Sequence, residues 1–282
     1  MTATASRVTP RFNGLARRTV YGLALAAIVL GSVVNRWTFV AVVLAITLGS
    51  LYELAGLTER KGQPLVSPVA FLAVASYILL TAFGLQQKYQ PVVLAGTLIA
   101  SLAVALFGAR QGYFARSAYT LFGALYIGWL GSYFVVLRRI MPESSGEAYT
   151  ACCILLIALT DIFAMLIGTA IGRTPLSSIS PKKTWEGAIG GFLVATVAGA
   201  AFALIPQVNI PWWHGALIGA ITSFAAQAGD LVESALKRDA HVKDAGTFLG
   251  NHGGILDRFD SYIFGGIAFY AALFVTGHIP PH

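Results

Sequence analysis

Apolar residues run in long blocks along this chain, and short polar clusters separate them. A bilayer-spanning helix needs about 20 apolar residues. Nine blocks emerge, the first of them short. They cover approximately 19–34, 37–57, 68–85, 91–109, 117–137, 148–172, 187–205, 212–231 and 259–278. Each predicts a membrane helix, because a chain in hydrocarbon must satisfy its own backbone hydrogen bonds. Only Asn35-Arg36 separates the first two blocks, so eight spans is the alternative count. The fold class expected is an all-α polytopic membrane protein of about nine transmembrane helices. Small residues let membrane helices approach closely, and Gly190-Gly191 and Gly265-Gly266 are candidates for such contacts.

Composition strengthens this picture. Hydrophobic residues make up 56% of the 282 and charged residues 11%, against roughly 25% charged in soluble domains. A water-soluble globule, a disordered chain and a disulfide scaffold are excluded. The net charge of +7 is no nucleic-acid signature, because the 19 Lys and Arg are spread over short loops. With the N-terminus in the cytoplasm, Arg36, Lys88, Arg138 and Arg139 are the four on the far side, and the other 15 are cytoplasmic. That asymmetry is the positive-inside signal. Residues 1–18 carry Arg7, Arg11, Arg17 and Arg18, and no small-residue cleavage site follows. A retained first span is therefore expected rather than a removed signal. Cys152 and Cys153 are adjacent inside an apolar block and read as two small buried hydrophobes. No zinc-ligand spacing exists.

The chain divides by composition. Residues 1–150 hold about five spans with weakly charged loops, and nothing there suggests a reaction. Residues 151–282 hold the polar concentrations, with cytoplasmic loops expected at 173–186 and 232–258. Six of the twelve acids lie within 230–260. Asp230, Glu233, Ser234 and Lys237 stand at i, i+3, i+4 and i+7, one face of a helix that continues the 212–231 span. Asp257, Asp260 and Ser261 repeat i, i+3, i+4 where the last span begins. His252-Gly253-Gly254 between them is a turn where backbone can approach a ligand. Hard oxygen ligands from two helices suit Mg²⁺, and Lys237, Arg238, Lys243 and Arg258 suit phosphate oxygens. The competing reading is a solvated loop with surface ion pairs. Ser180-Pro-Lys182-Lys183-Thr-Trp185-Glu-Gly187 is a second cluster, readable as an interfacial anchor or as part of the same site. Asp161 lies inside an apolar block, where an acid is a functional candidate; a buried hydrogen bond to Thr160 or to a neighbouring helix is the structural alternative. His214, His278 and His282 scatter near the opposite face.

Ser234-Ala-Leu-Lys237-Arg238, Lys243-Asp244 and His252-Gly253-Gly254-Ile-Leu-Asp257-Arg258-Phe-Asp260 closely resemble the signature of phosphatidate cytidylyltransferases, also called CDP-diacylglycerol synthases. Ser180–Gly187 resembles the family's second hallmark, and Asp161 with Gly172-Arg173 resembles a third region. The resemblance covers the C-terminal half. The chain departs from it at Gly250-Asn251, where Pro-Gly is usual, and at Ala164-Met165, where Ala-Tyr is favoured.

The resemblance implies transfer of the cytidylyl group of CTP to phosphatidic acid, giving CDP-diacylglycerol and pyrophosphate for phospholipid synthesis, with Mg²⁺. It implies an enzyme and a homodimer. The positive-inside count places the site at the cytoplasmic face, and the spread of charge argues against a nucleic-acid partner. A Gly-rich chain with short loops and no cleavable signal fits a bacterial inner membrane, an organelle being the alternative. The expected metal ligands are Asp230, Asp257, Asp260 and Glu233, with Asp161 as a further candidate. The catalytic set expected is Asp230, Lys237, Arg238, Asp257, Arg258 and Asp260. Substrate contacts fall to Lys182, Lys183, Trp185, Ser234, Lys243, Asp244, His252, Gly253 and Gly254. The rival readings are a polyprenol kinase-like enzyme, which would transfer the γ-phosphate of CTP, and an ion-coupled carrier. A carrier would spread polar residues through several spans, whereas here they concentrate in loops.

Overall fold

The computed structural model describes residues 26–107, 112–246 and 253–279. They form α1 (Arg36–Arg60), α2 (Ser67–Phe83), α3 (Gln86–Leu106), α4 (Tyr113–Arg138), α5 (Glu143–Ile171), α6 (Trp185–Phe202), α7 (Trp212–Asp239) and α8 (Leu256–Val275). Residues 26–32 are also helical. No strand occurs among the described residues; a single antiparallel bridge joins Pro175 and Thr184. Each expected span beyond the first coincides with one of these helices.

Six helices, α1 and α3 to α7, are long and apolar enough to cross a membrane. The count of nine is thus not reached by this measure among the described residues. α2 is apolar but only 17 residues long, and α8 opens with Asp257, Arg258 and Asp260, which dilute its apolar character. The expected 19–34 block lies partly outside the described residues. Large apolar side chains cover the lateral surface, among them Leu72, Ile99, Phe114, Leu193 and Phe224, each more than half exposed. A soluble protein rarely tolerates so much exposed apolar surface; lipid tails accommodate it.

Local chemistry sets the boundaries. Asn35 caps α1, its Oδ1 accepting the N–H groups of Trp37 and Thr38 at 2.9 and 3.2 Å, so the two-residue break between the first blocks is a real helix start. Gly84 ends α2 at φ +78°, the left-handed conformation common after helices. Thr184 caps α6 by accepting the Gly187 N–H at 3.2 Å. Within α4 the turn Ala124–Trp129 widens to π-helix, a bulge often found near functional sites.

The C-terminal half packs in sequence, α5 on α6, α6 on α7 and α7 on α8, and α8 returns onto α4 and α1. Glycine makes the tightest of these contacts. A Cβ on Gly191 would sit 2.6 Å from Thr160 O of α5, and one on Gly219 2.3 Å from Ala195 O of α6. Gly190, Gly265 and Gly266 likewise face side chains of neighbouring helices. Cys152 and Cys153 are buried free thiols.

The loops sort to two ends. At one, Lys61 pairs with Asp239, Arg116 reaches Pro64 O at 3.1 Å and Lys183 pairs with Asp230. At the other, Arg36 donates to Ala82 O at 2.6 Å and Arg139 to Gln86 at 3.3 Å. Arg138, 1% exposed, donates to Val33 O at 2.6 Å and meets Glu143 and Glu147 at 3.2 and 2.9 Å. Three of the four cations expected on the far side therefore serve as internal fasteners. His214 and His278 form a 2.7 Å pair rather than standing apart; burial and the neighbouring imidazole hold His278 below the usual histidine range.

Candidate active site

The site forms where α7 ends and α8 begins. Period 3.6 puts Asp230, Glu233 and Lys237 on one face of α7, and that face meets the first turn of α8. Carboxylate oxygens of Asp230, Glu233 and Asp260 all lie within 4.8 Å of one another. Glu233 is fully buried and Asp260 nearly so. Three like charges this close repel, and burial raises the cost. Lys237 offsets part of it, with its Nζ 2.5 Å from Glu233 Oε2 and 2.6 Å from Asp257 Oδ1. Lys183, from the loop before α6, contributes another cation 2.5 Å from Asp230 Oδ2. Glu233 Oε1 is buried and has no hydrogen-bond partner. A buried carboxylate oxygen without a donor is what a hard cation would complete, so the donor set fits Mg²⁺.

Asp257, expected among the metal ligands, stands outside this trio. Besides Lys237, it accepts the Gly254 N–H at 2.7 Å and the Ala245 N–H at 3.0 Å. Its oxygens are occupied by the chain itself, because the backbone turns tightly before α8. Gly253 makes that turn at φ +81°, where a side chain would be strained. Lys237, expected to hold phosphate, is likewise engaged by two acids.

Beside the trio lies an open cavity of about 470 Å³. Asp161, Lys182, Lys183, Gln227 and Asp230 supply its polar wall; Ala164, Met165, Gly168 and Leu176 supply apolar lining. This size suits a small-molecule group. Asp161 lines the cavity and also shares a side-chain hydrogen bond with Ser261 of the neighbouring α8, whereas Thr160 Oγ1 donates to Leu156 O at 2.9 Å. The Ser180–Gly187 cluster and the 230–260 cluster therefore meet. Arg238 turns to the carbonyls of Ile179 and Val242 at 3.5 and 3.3 Å, tying the two loops together. Ser234 is buried in α7, whereas Trp185, Lys243, Asp244 and Arg258 are exposed. His252 lies outside the described residues.

Two contributors escape the motif reading. Gln227 lines the cavity and donates to Ala188 O at 3.2 Å. Glu53, from α1, accepts the Leu256 N–H at 2.8 Å at the start of α8. Its signal is the one that marks Asp161, an acid inside an apolar block.

Comparison with known proteins gives the family. The sequence model described as "Cytidylyltransferase family" matches residues 16–276. Phosphatidate cytidylyltransferase 5, chloroplastic, of Arabidopsis thaliana is 32% identical over 292 residues, covering 93% of this chain and 72% of that protein. The phosphatidate cytidylyltransferase of Bacillus subtilis (strain 168) is 34% identical over 239 residues, 82% of this chain and 87% of its own. That of Synechocystis sp. is 34% identical over 279 residues, covering 87% of this chain and 90% of the relative. These matches extend well beyond the signature loops into the N-terminal helices, and with them this chain belongs to the cytidylyltransferase family.

Proposed function

We propose that this chain transfers the cytidylyl group of CTP to phosphatidic acid, giving CDP-diacylglycerol and pyrophosphate. The observation that carries the reading is the meeting of Asp230, Glu233 and Asp260 beside a cavity walled by Lys182 and Lys183, in a chain whose relatives bear that activity in their names.

A phosphate oxygen of phosphatidic acid attacks the α-phosphorus of CTP. A new P–O bond forms there as the bond to pyrophosphate breaks, and the electron pair leaves on the pyrophosphate oxygen. An ionised phosphate needs no strong base, so the residues act by positioning and charge neutralisation. Lys182 and Lys183 hold phosphate oxygens in the cavity, and Asp161 on the same wall orients them. Asp230, Glu233 and Asp260 hold Mg²⁺, which supplies positive charge to the phosphates when bound. Lys237 and Asp257 hold the two helix ends at the right spacing. Arg258, exposed at the start of α8, meets the triphosphate from water.

The finer topology belongs to the same proposal. It comprises nine spans, a cytoplasmic N-terminus, a site facing the cytoplasm in a bacterial inner membrane, and a homodimer. The sorting of ion-paired loops to two ends supports the topology. The functional test uses α-³²P-labelled CTP with phosphatidic acid and Mg²⁺. The proposal expects label in lipid together with released pyrophosphate. Label from γ-³²P-CTP entering a polyprenol, with no transfer to phosphatidic acid, would select the kinase reading. Flux into liposomes without chemistry would select the carrier.

A further inference from the structure

α1 brings one carboxylate from the N-terminal half to the edge of the site. Glu53 is 4% exposed, and an acid so buried in an apolar helix is costly to keep. Its Oε2 accepts the Leu256 N–H at 2.8 Å across 203 positions of sequence. Leu256 opens α8, so Glu53 supplies an anionic cap, from another helix, to the one that carries Asp257 and Asp260. Backbone on both sides of 247–252 closes on the same carboxyl group. A Cβ on Gly254 would lie 2.2 Å from Glu53 Oε2, and one on Gly246 2.4 Å from Glu53 Oε1. Asp257 grips the same two stretches by accepting the Ala245 and Gly254 N–H groups. Two carboxylates, one from each half of the chain, thus fasten the backbone at 245–246 and at 254–256.

We infer that Glu53 is a positioning residue for cytidylyl transfer. It fixes the backbone at Gly246 and Gly254 and the first turn of α8, and so sets Asp257 and Asp260 against Asp230 and Glu233. The role rests on the transfer reading above.

The test compares full-length wild type, Glu53→Gln, Glu53→Ala, Gly254→Ala and the Glu53→Ala/Gly254→Ala double variant in one detergent. Transfer kinetics and amide hydrogen exchange at Ala245, Gly254 and Leu256 are both read. Glu53→Gln keeps the shape and removes the charge. Misplacing reacting groups by about an ångström costs up to roughly 100-fold, so kcat falls about tenfold or more while KM for phosphatidic acid stays within about twofold. Exchange quickens at the three amides and stays unchanged in α5 and α6. Gly254→Ala presses on the carboxyl group and lowers kcat in the same way. Once Glu53 is gone the added methyl has room, so the double variant matches Glu53→Ala alone. Additive losses in the double variant, or a kcat that falls only with the folded fraction at unchanged local exchange, would overturn the inference. Should the Glu53 variants fail to fold, exchange at Leu256 in Gly254→Ala decides: quickened supports it, unchanged overturns it. A wild type that transfers no label overturns the transfer reading; quickened exchange in Glu53→Gln at full turnover overturns the positioning role alone.

Discussion

The chemistry of this protein turns on how a few buried charges are shared. Lys237 sits between Glu233 and Asp257 at 2.5 and 2.6 Å, so it serves two acids from two helices. Replacing it with Met should leave an uncompensated buried carboxylate, a change that typically costs about 3–5 kcal/mol. A lower thermal midpoint in detergent together with loss of transfer checks this. Lys183 differs, because it lies on the cavity wall and pairs with a partly exposed Asp230. Lys183→Gln should raise KM for phosphatidic acid about tenfold with little change in thermal midpoint, as steady-state kinetics in mixed micelles would show. Motif spacing made Asp230, Glu233, Lys237 and Asp260 legible in the sequence, because i, i+3 and i+7 put the first three on one face of α7 and Asp260 repeats the pattern with Asp257 at the start of α8. It could not separate Asp257 from the trio of Asp230, Glu233 and Asp260. That distinction depends on the Ala245 and Gly254 amides, which only the folded turn brings to it. Glu53 carried a local signal, but its partner is 203 positions away.

Helix boundaries follow from short-range chemistry, and helix contacts from glycine. Asn35 caps α1, and Asn35→Ala should cost about 1 kcal/mol, read as a small drop in thermal midpoint. Where α6 meets α7, Gly219 leaves no space for a side chain, with Ala195 O 2.3 Å from where its Cβ would sit. Gly219→Val should destabilise by about 1–3 kcal/mol or prevent assembly. Gly96 has nothing within 4 Å, and Gly96→Ala should be neutral or slightly stabilising because alanine favours helix. Parallel melting curves of the two variants in one detergent compare a packed glycine with an open one. The existence of the helices was legible from the apolar blocks alone. Their ends were less so: α3 starts at Gln86 and α5 at Glu143, ahead of the apolar blocks that open at 91 and 148, because polar residues beyond an apolar stretch still satisfy a continuous helix. The run of α7 past 231 was legible from the i, i+3, i+4, i+7 face.

At the scale of the molecule, two faces are distinguished by what their charges do. Arg36, Arg138 and Arg139 fasten helices at one end. Lys61, Lys183 and Lys237 meet acids at the other, where Lys183 also lines the cavity. Single cysteines at Gln63 and Ser178 should react with an impermeant reagent from the same side, and one at Gln87 from the opposite side. Cys152 and Cys153 are buried and give little background. Labelling of Gln63 and Gln87 positions from one side would refute the topology. The central claim is that Asp230, Glu233 and Asp260 hold the cation that supports transfer, while Asp257 holds the chain. Its most direct test is a Mg²⁺ titration of α-label transfer in wild type, Asp260→Asn and Asp257→Asn. Asp260→Asn should need at least about tenfold more Mg²⁺ for half-maximal rate, in line with the loss of a ligand. Asp257→Asn should keep the wild-type Mg²⁺ requirement at a lower maximal rate. The reverse pattern, with the Mg²⁺ requirement moved by Asp257→Asn and not by Asp260→Asn, would contradict it.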